Sequence, residues 1–183
     1  IITGGLGFIG SALIRRLIRN TEYTIINIDS KTQVSMPEAL EDCIESKKYN
    51  FIHGDIKDIN LIKKIFDDYQ PDSIIHLAAE SHVDTSIVNP RKFLDSNIIG
   101  TFNLLSSSVE YLNKKNELKD KFRFLHVSTD EVFGSLDINE TSFSETSRYK
   151  PNSPYSASKA SSDHFVRAWN KTYGLNTIIT NSS

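Results

Sequence analysis

The chain has 183 residues, of which 38% are hydrophobic and 24% charged, and its net charge is -2. Such a chain amounts to about one domain with enough apolar residues to bury a core, and no apolar run approaches the roughly 18 residues of a membrane span. The composition also argues against nucleic-acid binding, because the one dense basic stretch, 114–123, is interleaved with Glu117 and Asp120 and reads as a solvated helix end and loop.

In chain order, an apolar strand at 1–3 leads directly into Gly4, Gly5, Gly7 and Gly10. Residues 11–17 follow with Leu13, Ile14 and Leu17, continued at Ile18, at the spacing of one helical face. A second strand, 23–28, ends at Asp29; a third, 49–53, is followed by Asp55 and Ile56. The stretch 59–66 repeats the helical spacing with Ile59, Ile62, Ile65 and Phe66, and a fourth strand, 73–77, runs into Ala78 and Ala79. A long helix at 93–112 carries Phe93, Leu94, Asn97, Ile98, Thr101, Leu104, Leu105 and Leu112 near one stripe. The fifth strand, 122–127, opens into Ser128-Thr129-Asp130-Glu131; a helix at 156–173 begins after Pro154, and a last strand occupies 177–180.

This alternation predicts βαβ units with right-handed crossovers, hence an α/β fold with a doubly wound parallel sheet (Rossmann) in the order 3-2-1-4-5-6. The non-periodic stretch 134–154 is long for a passive connection, so it is expected to be functional and near the site. The five histidines lack metal-ligand spacing, so no metal is expected. Cys43 is the only cysteine, which forbids an internal disulfide and favours a reducing compartment, by default the cytosol. No signal peptide precedes the first strand, and both ends look cut, so residues 1–183 are expected to be a fragment of a longer protein.

Gly4, Gly7 and Gly10 sit between a strand and a helix, where a dinucleotide fingerprint needs a tight turn, close approach to a pyrophosphate and close helix packing. Free N–H groups and the positive end of the helix dipole then face the phosphates. Asp29 can accept from both ribose hydroxyls and repels a 2′-phosphate, so NAD is predicted over NADP, with Lys31 nearby pulling the other way. Asp55 can meet an adenine amino group while Ile56 covers the ring, and small residues at Leu77-Ala78-Ala79 permit close cofactor approach. Ligands bind beyond the carboxyl ends of such strands, so Ser128, Thr129, Asp130 and Glu131 should line the crevice. Both carboxylates can serve one substrate only if the chain has left the strand by Asp130; otherwise they cap a following turn. Tyr155 and Lys159 lie four apart on one helical face, where an ammonium beside a phenol lowers the phenol pKa.

On TGGLGFIG (3–10), HGDI (53–56), HLAAESHVD (76–84), NIIGT (97–101), STDEVFG (128–134) and SPYSASKASSDHFVRAW (153–169), the chain resembles extended short-chain dehydrogenases. Among them it is most similar to nucleotide-sugar 4,6-dehydratases, the dTDP-glucose branch in particular, and the Asp130-Glu131 pair after Thr129 separates these from sugar epimerases. The resemblance implies that Phe8 and Ile9 sit at the pyrophosphate and that Asp29, Ser30, Lys31 and Thr32, with Asp55 and Ile56, hold the adenosine half. It implies that Leu77 through Ser81 and Ser96 line the inner cofactor pocket, with Ser81 also near the sugar. Thr85 stands where the family commonly has arginine. The family's C-terminal substrate domain lies outside these residues.

The implied reaction converts a nucleoside-diphospho-glucose, dTDP by family weight and UDP as competitor, to its 4-keto-6-deoxy form. Tyr155 acts as phenolate base, Lys159 tunes it and holds the nicotinamide ribose, and Thr129 bonds the C4 oxygen. Glu131 is the general base at C5, and Asp130 the acid at C6. A 4-epimerase and a cofactor-sensing domain are the alternatives. The resemblance also implies a homodimer through a four-helix contact of 93–112 and 156–173.

Overall fold

The structure, a computed structural model, describes residues 1–137 and 139–183. Six strands, β1 (Ile2–Thr3), β2 (Ile25–Asp29), β3 (Tyr49–His53), β4 (Ser73–His76), β5 (Arg123–Thr129) and β6 (Thr177–Ser182), form one sheet. All pairings are parallel and the order is β3-β2-β1-β4-β5-β6, as the alternation of elements predicts. Helices α1 (Phe8–Asn20), α2 (Glu41–Ile44), α3 (Ile59–Tyr69), α4 (Val83–Val88), α5 (Pro90–Phe93), α6 (Gly100–Lys114) and α7 (Pro154–Tyr173) connect and cover it.

Side chains alternate across the strands, so each face of the sheet feeds its own core. Ile25 of β2 packs with Ile2, Leu6, Ile14, Leu40 and Cys43 beneath α1 and α2. Its neighbours Ile26 and Ile28 turn the other way, onto Ile74, Phe124, Leu104, Leu105, Ile62, Phe66 and Val166 beneath α3, α6 and α7.

Local chemistry sets where the site-bearing elements begin. Asp58 caps α3, its carboxylate accepting from Asn60 N–H at 3.0 Å and Leu61 N–H at 3.1 Å. Ser153 and Ser156 form a reciprocal capping box at the start of α7, at 3.0 and 2.9 Å, with Pro154 in the first turn, where its missing N–H costs nothing. Gly174, at φ +70°, ends that helix.

The stripe expected at 93–112 is not one α-helix. Between α5 and α6 the chain winds as a π-helix over Leu94–Ile99. The wider turn leaves the Asn97 carbonyl open to two hydroxyls, Thr101 Oγ1 and Ser162 Oγ, each donating at 2.6 Å. Leu94, expected in the stripe, is 47% exposed as a result of the changed winding. Helices α2 and α4 and the 3₁₀ turn Pro37–Leu40 are too short for periodicity to reveal.

The Asn97 side chain, 1% exposed, clamps the segment after β4. Oδ1 accepts Glu80 N–H at 2.8 Å, while Nδ2 donates to Glu80 O at 2.9 Å and to Ser158 Oγ at 2.8 Å. Replacing Asn97 by Ala removes all three bonds and strands a buried N–H, so the full-length protein should lose about 2–4 kcal/mol in urea unfolding. A change within about 0.5 kcal/mol, the range of ordinary surface substitutions, would show that the clamp carries no stability.

Candidate active site

A cleft of about 640 Å³ opens at the carboxyl ends of β1, β2, β4 and β5. Its floor is the glycine turn. Gly4 takes φ +72°, and a Cβ there would lie 2.6 Å from Ala78 N, so the turn leaving β1 passes directly over the segment leaving β4. Gly7 caps α1 with no side-chain partner, and a Cβ on it would meet only Gly4 O, at 3.3 Å, which leaves a cradle open toward the cleft. The first N–H groups of a 13-residue helix face that cradle, a setting that fits a pyrophosphate. Gly4, Gly7, Phe8, Ile9 and Gly10 all line the cleft, and Phe8 is 82% exposed at its mouth.

Asp29 ends β2 and is 8% exposed. Its Oδ2 accepts Leu6 N–H at 3.0 Å, and its Oδ1 accepts Lys31 N–H at 2.9 Å and Ser35 Oγ at 3.1 Å. The carboxylate therefore anchors the glycine loop, and Oδ2 keeps room for a further donor. Ser30, Thr32, Asp55 and Ile56 line the same end of the cleft. The Ile56 backbone is fixed by Asn103, whose Nδ2 donates to Ile56 O at 3.0 Å. Lys31 does not line it: the residue takes φ 53°, and Nζ sits 5.1 Å from the Phe51 ring centre in a cation–π contact. Leu77, Ala78, Ala79, Ser81 and Ser96 line the inner cleft.

At the reaction end stand Thr129, Glu131, Tyr155 and Lys159. Strand β5 stops at Thr129, and a 3₁₀ turn runs over Asp130–Phe133, capped by Thr129 Oγ1, which accepts Glu131 N–H at 3.2 Å. The chain has thus left the strand by Asp130, yet only Glu131 lines the cleft. Asp130 lies off the lining, with its Oδ1 3.4 Å from the Thr129 hydroxyl that donates to it. Burial, then the charge of Asp130, raises the proton affinity of Glu131.

Tyr155 is 9% exposed and stands edge-on to the ring of Phe93, 6.3 Å away. Burial raises its pKa above 10.0; the Thr129 hydroxyl opposes this, and the Glu131, Asp130 and Asp163 carboxylates add to it. The expected lowering by Lys159 is therefore not the balance struck here. The Lys159 ammonium, 4% exposed, donates to Val127 O at 2.8 Å, and burial of the phenol prevails. Burial also brings Lys159 itself down to about 8.

Ser128 and Glu80 line the cleft as expected, whereas sequence reasoning missed Met36, His82 and Lys92 in the lining. Lys92 Nζ pairs with Glu80 Oε1 at 2.9 Å across the cleft wall, a contact between α5 and the segment after β4 that no local spacing marks. The segment 134–154 sends none of its described residues into the lining. It packs behind the site instead, with Phe143 and Tyr149 against Phe133 and Lys150 N–H on Val132 O at 2.9 Å. Among the described residues no cluster of three metal-ligating side chains occurs, and no helix is long and apolar enough to cross a membrane.

Comparisons with known proteins point one way. The chain is 54% identical to dTDP-glucose 4,6-dehydratase of Salmonella typhimurium over all of its own length and 53% of that protein's. It superposes on the dTDP-glucose 4,6-dehydratase of Streptomyces venezuelae, solved with NAD bound, with a TM-score of 0.88 at 40% identity, covering 98% of this chain and 54% of that one. UDP-glucose 4-epimerase of Thermotoga maritima, solved with UDP-glucose, gives a TM-score of 0.84 at 29% identity, covering 98% and 53%. The chain thus spans about half the length of the curated relatives it matches. The family model described as GDP-mannose 4,6 dehydratase matches residues 1–183, and the chain belongs to that family of short-chain dehydrogenase-type nucleotide-sugar enzymes.

Proposed function

We propose that the full-length protein is a nucleotide-sugar 4,6-dehydratase that converts dTDP-glucose to dTDP-4-keto-6-deoxyglucose, a hydro-lyase working with NAD. The observation that carries this reading is a carboxylate of raised proton affinity, Glu131, in the same cleft as Tyr155 and Lys159 and beyond a helix N-terminus shaped for a pyrophosphate. A 4-epimerase needs no base at C5. NAD, when bound, supplies the reversible hydride acceptance that makes the conversion redox-neutral, and its positive ring favours the phenolate of Tyr155.

Within that reading, the glycine turn and Asp29 hold the dinucleotide, and Tyr155 removes the proton of the C4 hydroxyl. Thr129, whose hydroxyl stands at the end of β5 in the same cleft, donates to the C4 oxygen. Lys159, fixed through Val127 O, keeps a positive charge one helical turn below the phenol. Glu131 takes the C5 proton, which a neighbouring ketone has acidified; a base of raised proton affinity suits this step. Asp130 protonates the leaving C6 hydroxyl, an assignment that rests on its adjacency to Glu131 and on the resemblance, since it stands off the cleft lining. The nucleotide base falls to the part of the relatives that this chain does not span.

A homodimer through α6 and α7 is part of the proposal. Phe102, Phe165 and Tyr173 are 40%, 36% and 55% exposed on those helices and form an aromatic row with Trp169. The cytosol is the proposed setting, consistent with a buried and unpaired Cys43.

Incubation of the full-length enzyme with dTDP-glucose and with UDP-glucose in deuterated water should yield a 4-keto-6-deoxy product labelled at C5 from dTDP-glucose. Unlabelled C5 with inverted C4 would make the protein an epimerase. Glu131→Gln should lower turnover by about 10²–10⁴-fold while oxidation at C4 still occurs, whereas Tyr155→Phe should suppress that oxidation too. In the protein without NAD, the Tyr155 phenol should ionise above pH 10.0, read as the ultraviolet difference against Tyr155→Phe, and adding NAD⁺ should move the midpoint down.

A further inference from the structure

Behind the reacting pair, away from the cleft, lies a carboxylate that the proposed chemistry does not use. Asp163 is 2% exposed and sits one helical turn after Lys159 on α7. Two other elements reach it. Its Oδ2 accepts from Ser128 Oγ, at the end of β5, and from the Tyr149 hydroxyl, in the 134–154 segment, both at 2.8 Å. Its Oδ1 lies 3.2 Å from His126 Nε2 without the alignment of a hydrogen bond. A charge taken this far from water is costly unless it is paired.

The groups facing Lys159 can be taken in turn. His126 on β5 and His76 on β4 are held neutral, by burial first and then by neighbouring positive charge. Tyr155 on α7 is raised by burial, with Glu131 and Asp130 of the 3₁₀ turn, and then Asp163 itself, pushing it further. Tyr149 is raised as well, by burial and then by Asp163, so it too is neutral. Burial works against the Lys159 ammonium, and the Asp163 carboxylate is the charge that offsets it. Asp163 is itself raised by burial, against which the Ser128 and Tyr149 hydroxyls, then Lys159 and His164, favour the anion.

We propose that Asp163 is a positioning residue of this site: a buried anion that keeps the Lys159 side chain charged and ties the 134–154 segment to the end of β5. The proposal rests on the reading of Tyr155 and Lys159 as the reacting pair. It gives the long polar segment a task, because Tyr149 is the point at which that segment grips the catalytic helix.

The test uses full-length protein labelled with [¹³C]lysine, with the Lys159 Cε signal assigned by its loss in Lys159→Arg. Titrated without substrate, that signal should turn over near pH 8 in the wild type. In Asp163→Asn the midpoint should fall by about one unit or more, the scale of a lost buried counter-charge. Asp163→Glu should restore it, and the alkaline limb of the turnover–pH profile should move with it. Tyr149→Phe, which cuts the tie and keeps the charge, should lower kcat and leave the Lys159 midpoint in place. An Asp163→Asn midpoint equal to wild type, with only a lower melting temperature, overturns the proposal. Asp163→Ser, smaller and uncharged, gives the same readout if the asparagine variant does not fold. A Lys159 shift in Asp163→Asn, together with wild-type protein that turns over neither sugar nucleotide, would sink the dehydratase reading and leave this one standing.

Discussion

The close passage of Gly4 over Ala78 is the constraint on which the cleft depends. With a Cβ only 2.6 Å from Ala78 N, no side chain is tolerated where the chain leaves β1. The loop is then pinned from the neighbouring strand, Gly4 N–H on Ile28 O at 2.9 Å and Leu6 N–H on Asp29 Oδ2 at 3.0 Å. Those two bonds aim the N-terminus of α1 along the crevice between the strand ends. Asp29 anchors the glycine turn, and on the proposed reading it also holds the ribose of a dinucleotide whose pyrophosphate lies on that turn. A substitution at Asp29 perturbs both, and a loss of cofactor affinity there is not evidence of a direct contact alone.

Burial sets the proton affinities of the site in one direction, toward neutrality. It raises Tyr155 and Glu131 and lowers Lys159, His76 and His126, and for each of them it is the largest cause. Desolvation disfavours whichever form is charged, so the free cleft holds a neutral phenol above a lysine close to its titration point. On the proposed reading, the positive nicotinamide ring of bound NAD opposes that balance and favours the phenolate, which links cofactor binding to base activation by electrostatics.

Much of the architecture was legible because buried parallel strands are short apolar runs, and because the runs before Gly4 and through Asp29 sit at the spacing a dinucleotide fold requires. What local pattern could not show depends on partners far along the chain. The π-helical turn at Leu94–Ile99 exists with a hydroxyl from Ser162, on α7, bonded to Asn97 O. The Tyr155 pKa was expected to fall because only Lys159 was visible at helical spacing; the enclosure that raises it, including Phe93, comes from a different helix. Lys31 looked like a ribose or phosphate neighbour, but Phe51 on the adjacent strand β3 offered its ring face. The polar 134–154 segment was expected near the site, and it lies there, but its aromatic residues draw it behind Phe133 and off the cleft lining.

The two adjacent carboxylates show how a turn divides labour that a motif leaves joined. A strand would send Asp130 and Glu131 to opposite faces, and a 3₁₀ turn, with three residues per turn, separates them by about 120°. Of the two, Glu131 lines the cleft. Facing inward exposes Glu131 to desolvation and to its neighbour's charge, which together strengthen it as a base. Asp130, beside the Thr129 hydroxyl, stands off the lining, and the proposed reading gives it the acid's part at the C6 oxygen. A base and an acid that reach one ring from two directions suit an elimination in which a proton leaves C5 while another arrives at the C6 oxygen. An epimerisation at C4 would make no use of the separation, and on the proposed reading the tight turn after Thr129 is the local feature that favours dehydration.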